Sequence, residues 1–371
     1  MAKPRILIVD SSRAFTGAFN SILNFCEGLR DDYDFHFALP KHSSNISLIR
    51  ERYTYQEFQF IDISMNAKAL LFLPYLVSNS LKLKRYIKSN GIDIVHVNDI
   101  INLAGVGAKF FGARVPLVYH IRLMPDSYFA RLYPLFFRVI YAYADRIICV
   151  SDAVKKKLGR SNKIIRIYNA FNFKEATLKR SRVIDKEKVT LLYLANYTPG
   201  KGHDAALRAF AKAFQTNSKM KLIFTGGCMG LKKNELYLCN LEKLAEELHI
   251  KDKVVFRAFS SDIESLFAEA DIFLNFSVSE SFSRTCLEAQ YFGVPVIATN
   301  CGGPAEIIQD QHSGLLVPVG DIDKMAEAII KLTTNPGLRV KFASGGKQIV
   351  ENKFSYKTTI MQLNRLYQDL L

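Results

Sequence analysis

The sequence predicts an α/β protein made of two doubly wound, Rossmann-like domains in series. Three observations carry this. Short apolar runs recur at the spacing of crossover units, the alternation breaks at the charged stretch Lys174–Lys188 and then restarts, and 371 residues suit two cores of ordinary size. In the first half the runs are Arg5–Val9, Asp34–Leu39, Asp93–Val97, Pro116–His120, Arg146–Val150 and Ile164–Tyr168. In the second they are Val189–Leu194, Lys221–Thr225, Lys253–Phe256, Ile272–Phe276, Pro295–Thr299 and Gly314–Val317. Longer, helix-compatible segments separate them, which points to parallel sheets. The expected domains are 1–175 and 176–355, followed by an amphipathic segment, 356–371. Two such sheets imply a ligand cleft at their strand C-termini, between the domains.

Composition narrows the function classes. Nearly half the residues are apolar, at 49 %, so the chain is expected to be globular. The start runs at once into a strand and lacks the apolar core of a signal peptide. The longest apolar stretch, Ala69–Val77, is too short to span a bilayer and contains Pro74. Six cysteines form no C-x-x-C pair, which suits a reduced, cytoplasmic chain. The formal charge of +15 is uneven: residues 1–175 hold 25 Lys and Arg against 14 Asp and Glu. That asymmetry suggests an anionic surface or acceptor, while no recognition helix or RNA signature supports nucleic acid.

The most telling segment is Asn275–Glu306, NFSVSESFSRTCLEAQYFGVPVIATNCGGPAEI. It reads as a strand, a polar loop holding Glu280, a helix from about Ser283 holding Glu288, and a second buried strand. A helix start after a strand offers backbone N–H groups to phosphate. Glu288, inside the helix, can meet a ribose, and Glu280, in the loop, the sugar beyond the diphosphate. The plain alternatives are a solvated helix face for Glu288 and a capping carboxylate for Glu280.

With LEA, FGVPVIAT and GGPAEII, this E-x7-E spacing resembles the retaining nucleotide-sugar glycosyltransferases of family 4. The resemblance covers nearly the whole chain and implies the GT-B fold, two Rossmann-like domains facing across a cleft. Its strongest motifs lie in the second half. There, Leu194–His203 (LANYTPGKGH) resembles the family's G-R…K-G-h loop: Lys201 matches the diphosphate lysine, but Asn196 stands where arginine is usual. Arg284, beside the helix start, is expected to replace that charge, or else to be an exposed first-turn arginine. Ser283 and Thr285 can offer N–H and hydroxyl donors to the phosphates, or simply cap the helix. By resemblance Glu288 binds both ribose hydroxyls and Glu280 orients the donor sugar.

In the first half, Val115–Arg122 puts His120 at a strand end, where the family commonly has an active-site histidine. Arg122 suits an anionic acceptor or a solvated surface. The loop Ser12–Gly17, with Arg13, has one glycine where the family has two, and Gly17 can admit a diphosphate or acceptor close to the backbone. Asn169–Asn172 departs from the family's N-G-V-D at two positions. Asp321 and Asp323 directly precede a helix and read as a cap, not a metal site. No cofactor and no metal are expected.

Two stretches suit an anionic membrane face: Asp126–Tyr143, with seven aromatic residues around Arg131 and Arg138, and the cluster Lys82, Lys84, Arg85 and Lys88. A core helix with a solvated charged face is the alternative. The expected function is retaining, metal-independent transfer of a hexose from a nucleotide-sugar to a saccharide acceptor, lipid-linked, in cell-surface polysaccharide or lipopolysaccharide synthesis. The expected place is the cytoplasm, peripheral to the membrane. Alternatives are a nucleotide-sugar epimerase or hydrolase, and an inactive GT-B partner of an active enzyme.

Overall fold

The structure, a computed structural model, describes residues 2–60, 71–126, 130–169, 171–172 and 188–371. The chain divides into two compact units, Met1–Asn172 with Ser355–Leu371, and Phe173–Phe354. The charged stretch expected to link two domains lies almost wholly outside the described residues, as do the first residues of the Ala69–Val77 run and part of the aromatic segment after Asp126.

The first unit is a parallel sheet of seven strands: β1 (Arg5–Asp10), β2 (Asp34–Pro40), β3 (Thr54–Phe58), β4 (Ile94–Asn98), β5 (Leu117–Ile121), β6 (Arg146–Cys149) and β7 (Ile164–Arg166). Their order is β3-β2-β1-β4-β5-β6-β7. Strands β1, β4 and β5 are buried on both faces, so each is apolar nearly throughout instead of alternating. Strand β3 escapes the sequence reading. It is an edge strand whose polar Gln56 and Glu57 need no partner on their outer side, so its apolar signal is diluted.

Helices cover both faces of this sheet. On one, Gly17–Gly28 and Tyr356–Gln368 pack together, with Phe19, Ile22, Phe25, Leu363 and Tyr367 buried against Ile6, Ile8 and Ile94. The Tyr356 hydroxyl donates to the Asn24 carbonyl at 2.7 Å, and the Tyr33 hydroxyl to the Asn364 side chain at 2.7 Å. The C-terminal helix is thereby part of the first unit. On the other face lie Phe72–Ser89, Ala104–Phe110 and Tyr133–Tyr143.

The second unit repeats the plan with β8 (Val189–Leu194), β9 (Met220–Thr225), β10 (Val254–Arg257), β11 (Ile272–Asn275), β12 (Val296–Thr299) and β13 (Gly314–Val317), ordered β10-β9-β8-β11-β12-β13. Helix starts are fixed by side-chain caps. Asp262 accepts from Ser265 N–H at 3.1 Å, and Asp321 from Lys324 N–H at 3.0 Å. Asp321 is therefore the cap that the sequence suggests, and Asp323 pairs with Lys212.

In both sheets the strand order reverses beside the first strand, between β1 and β4 and between β8 and β11. Crossovers leave in opposite directions there, which opens a crevice at the strand C-termini. Each unit places its unusual polar residues at that point.

Candidate active site

In the second unit, three loops meet at the crevice: Ala195–Gly202 after β8, Phe276–Ser283 after β11, and Asn300–Gly303 after β12. Gly202 adopts φ +74°, and a Cβ there would sit 2.0 Å from the Phe276 carbonyl oxygen. Only glycine permits that approach, and it brings Lys201 against the second loop. Gly303 acts likewise, since a Cβ would lie 2.3 Å from Phe282 Cα. The Glu280 N–H donates to the Cys301 carbonyl at 3.4 Å and the Gly303 N–H to the Glu280 carbonyl at 2.8 Å, so the Glu280 backbone is clamped.

Lys201 Nζ donates to Glu280 Oε1 at 2.6 Å, and Ser277 Oγ to the same oxygen at 3.1 Å. Burial works to lower the Lys201 pKa, but the Glu280 carboxylate outweighs it and holds the amine above its ordinary value. A few residues on, Arg284 Nε donates to Glu288 Oε1 at 2.6 Å. Burial raises the Glu288 carboxyl above the ordinary range, and the Arg284 guanidinium opposes it. Two cations and two carboxylates are thus paired at the start of the helix Arg284–Tyr291.

That helix begins without a side-chain cap. Ser283 sits at the cap position, but at φ +65°, and its hydroxyl accepts from Asn275 Nδ2 at 2.9 Å. The capping alternative for Ser283 is therefore replaced by a bond that ties the helix start to the end of β11. Left-handed backbone at a non-glycine residue carries strain and recurs at functional sites. Thr285 follows in the first turn. The exposed Asn196 accepts from Gly227 N–H at 3.3 Å, in the same loop as Lys201. Glu288 is only 5 % exposed, so it is not on a solvated face.

The first unit gathers a buried polar network. Arg122 is buried, not solvated: it donates through Nε to Asn98 Oδ1 at 2.6 Å, through Nη1 to Asn169 Oδ1, and through Nη2 to His120 Nδ1 at 3.3 Å. The solvated-surface alternative is overturned, because a guanidinium this engaged is held by the fold. Burial lowers its pKa to about 10, with Asp99 and Asp10 opposing. Asn98 donates to Asp10, which also accepts from Ser12 N–H at 2.8 Å. Asp99, at φ +78°, receives the Arg122 N–H at 3.2 Å.

Since arginine can only donate, Nδ1 of His120 is an acceptor and the neutral ring carries its proton on Nε2. That Nε2 has no hydrogen-bond partner among the described residues. Burial, then Arg122 and His96, push the His120 pKa well below its usual value. His96, stacked on Phe25, is lowered to about 3, and His203 to about 4. A group whose pKa falls on folding leaves the unfolded chain binding more protons below pH 6.5, so stability is lost as pH drops from there toward the folded value. In an NMR titration these three imidazoles should stay neutral from pH 8 to 5.5. Midpoints near 6.5 would contradict their burial.

Arg13 and Gly17 stand apart from this network. Arg13 is exposed and reaches the Phe60 carbonyl at 3.4 Å. Gly17 opens a helix capped by Thr16, without positive φ. Sequence reasoning passed over Asp10, Asn98, Asp99, Asn275, Ser277 and Thr299. Each ends an apolar strand or lies within two residues of its end, and that position was the available signal.

Two family descriptions match in sequence: Glycosyltransferase Family 4 over residues 15–175, and Glycosyl transferases group 1 over residues 174–349. The chain belongs to this glycosyltransferase family, with the GT-B fold. N-acetyl-alpha-D-glucosaminyl L-malate synthase of Bacillus anthracis is 26 % identical over 338 residues, 85 % of either chain. The Anabaena HepE structure with UDP and glucose superimposes with a TM-score of 0.82 at 22 % identity, covering 98 % of this chain and 99 % of that one. The lipopolysaccharide outer core galactosyltransferase WaaB does so with 0.74 at 19 % identity, covering 99 % and 100 %.

For a glycosyltransferase that takes a nucleoside-diphosphate donor, Arg284 is the cation whose role can be tested directly. Arg284→Ala should raise the donor dissociation constant about tenfold, or ~1.4 kcal/mol. Unchanged affinity in a calorimetric titration would show that Arg284 serves Glu288 alone.

Proposed function

We propose that this glycosyltransferase moves a hexose from a nucleoside-diphosphate sugar to a saccharide acceptor with retention of configuration and without a metal ion. The observation that carries the reading is the double pairing at the helix start, Lys201 with Glu280 and Arg284 with Glu288. An incoming diphosphate competes for both cations and frees both carboxylates. Glu288 then accepts from the ribose hydroxyls, and Glu280 from the hydroxyls of the donor sugar. Lys201, Arg284 and the N–H groups of the first turn take up the charge that grows on the departing phosphate. With two cations available, that role needs no divalent ion.

For retention, the acceptor hydroxyl attacks the anomeric carbon from the face the diphosphate leaves. The sugar–phosphate bond breaks, the new glycosidic bond forms, and the acceptor proton passes to the departing phosphate oxygen. The UDP in HepE supports a uridine nucleotide, and the lipopolysaccharide role of WaaB supports a lipid-linked acceptor. Asn196, where the family has arginine, favours the second reading, an inactive partner.

The test is a thermal-shift screen over UDP-, GDP-, ADP- and TDP-sugars, followed by a nucleotide-release assay with and without lipid-linked saccharides and with EDTA. Release that needs an acceptor and survives EDTA supports the reading. Binding without release supports the inactive partner, and release that EDTA abolishes refutes the metal-free part.

A further inference from the structure

One face of the first unit is built from helices without an acidic residue. The helices Phe72–Ser89, Ala104–Phe110 and Tyr133–Tyr143 together contain no Asp or Glu, yet carry Lys82, Lys84, Arg85, Lys88, Lys109 and Arg138. They form one layer. Phe72 meets Phe136 with ring centroids 6.1 Å apart, Phe110 meets Tyr143 at 6.5 Å, and Lys84 Nζ donates to the Phe111 carbonyl at 2.6 Å. A Cβ on Gly105 would meet Val97 at 2.7 Å, so the helix Ala104–Phe110 packs closely on the sheet.

The outer side of this layer is apolar where a solvated helix would be polar. Leu73 is 65 % exposed, Leu135 59 % and Phe110 67 %, with Val77 and Leu132 also exposed. Around them the exposed Arg85, Lys88, Arg131 and Arg138 pair with no carboxylate among the described residues. Scattered exposed leucines are unremarkable, but several large exposed apolar side chains on adjoining helices that also carry unpaired cations mark an interaction surface.

We propose that this three-helix face docks on the surface of a bilayer rich in anionic lipid. Leu73, Val77, Leu132 and Leu135 enter the headgroup boundary, while Arg85, Lys88, Arg131 and Arg138 meet lipid phosphates. A protein partner would need matching acidic and apolar features. A bilayer supplies both over any area, which suits a patch spread across three helices. No helix among the described residues is long and apolar enough to cross a membrane, so the contact is peripheral. The proposal does not depend on the donor site, which lies in the other unit.

The test is flotation of the purified protein with phosphatidylglycerol vesicles, with phosphatidylcholine vesicles, and with soluble polyphosphate as competitor. The expected result is binding to phosphatidylglycerol alone, weakened at least tenfold by raising salt from 50 to about 300 mM. The double variants L73D/L135D and R85E/R138E should each lose at least tenfold in vesicle binding. Both should keep the wild-type melting temperature and donor-dependent nucleotide release, because all four positions are exposed and none belongs to the unit that holds Lys201 and Glu288. Failure to bind either vesicle at low salt would overturn the proposal. So would binding unchanged in both variants, or polyphosphate binding without vesicle binding. Loss of nucleotide release with intact vesicle binding would count against the catalytic reading instead.

Discussion

Lys201→Met should lower the turnover of a nucleotide-sugar by about 10²–10³-fold while donor binding weakens far less. The size follows from removing one preorganised positive group, which the proposed function directs to the leaving phosphate. Methionine keeps most of the side-chain stem that packs beside the Phe276 loop, so the fold should survive. The Lys201 amine is held by Glu280 at 2.6 Å, and Glu280 retains Ser277 at 3.1 Å when the lysine is gone. Catalysis and stability therefore separate: single-turnover kinetics should show the loss in the chemical step, with unfolding by urea nearly unchanged. A loss confined to KM would place Lys201 in ground-state binding alone.

Glu288→Gln should move affinity and stability in opposite directions. The carboxylate lies buried, with burial favouring its neutral form and one cation, Arg284, opposing. Because its pKa rises on folding, the ionised group costs stability above the ordinary carboxylate range, and that cost disappears as pH falls. Glutamine removes the charge at constant volume, so the protein should be as stable or more so at pH 7. Donor affinity should fall by roughly 1.5–3 kcal/mol, the worth of a charge-assisted bond to a ribose hydroxyl. Such an exchange of stability for function is what a binding residue shows and a structural one does not. Calorimetric titration and thermal melts on the same samples would decide it.

Much of the architecture is readable from the chain because parallel strands buried on both faces are continuous apolar runs. β8 and β13 fall where their apolar residues say, and the other recognised strands shift by only one or two residues. Edge strand β3 is not readable, since half its surface faces away from the core. The second-unit site is partly readable. Glu280, Glu288 and Lys201 announce themselves by the motifs that resemble the family's, and the structure brings them to one helix start. Their pairing is not readable, because whether Arg284 reaches solvent or Glu288 is decided by burial. Arg122 illustrates the same limit. Two residues past a strand it resembles any loop arginine, and only the approach of β4 and the Asn169 loop converts it into a buried hub.

The central claim is that a nucleoside diphosphate sits at the start of the Arg284–Tyr291 helix with its ribose on Glu288. A crystal structure with UDP tests it most directly. The ribose hydroxyls should lie within hydrogen-bond distance of the Glu288 carboxylate, with the diphosphate between Lys201, Arg284 and the first-turn N–H groups. UDP bound elsewhere, or a Lys201–Glu280 and Arg284–Glu288 pairing undisturbed by saturating nucleotide, would contradict it.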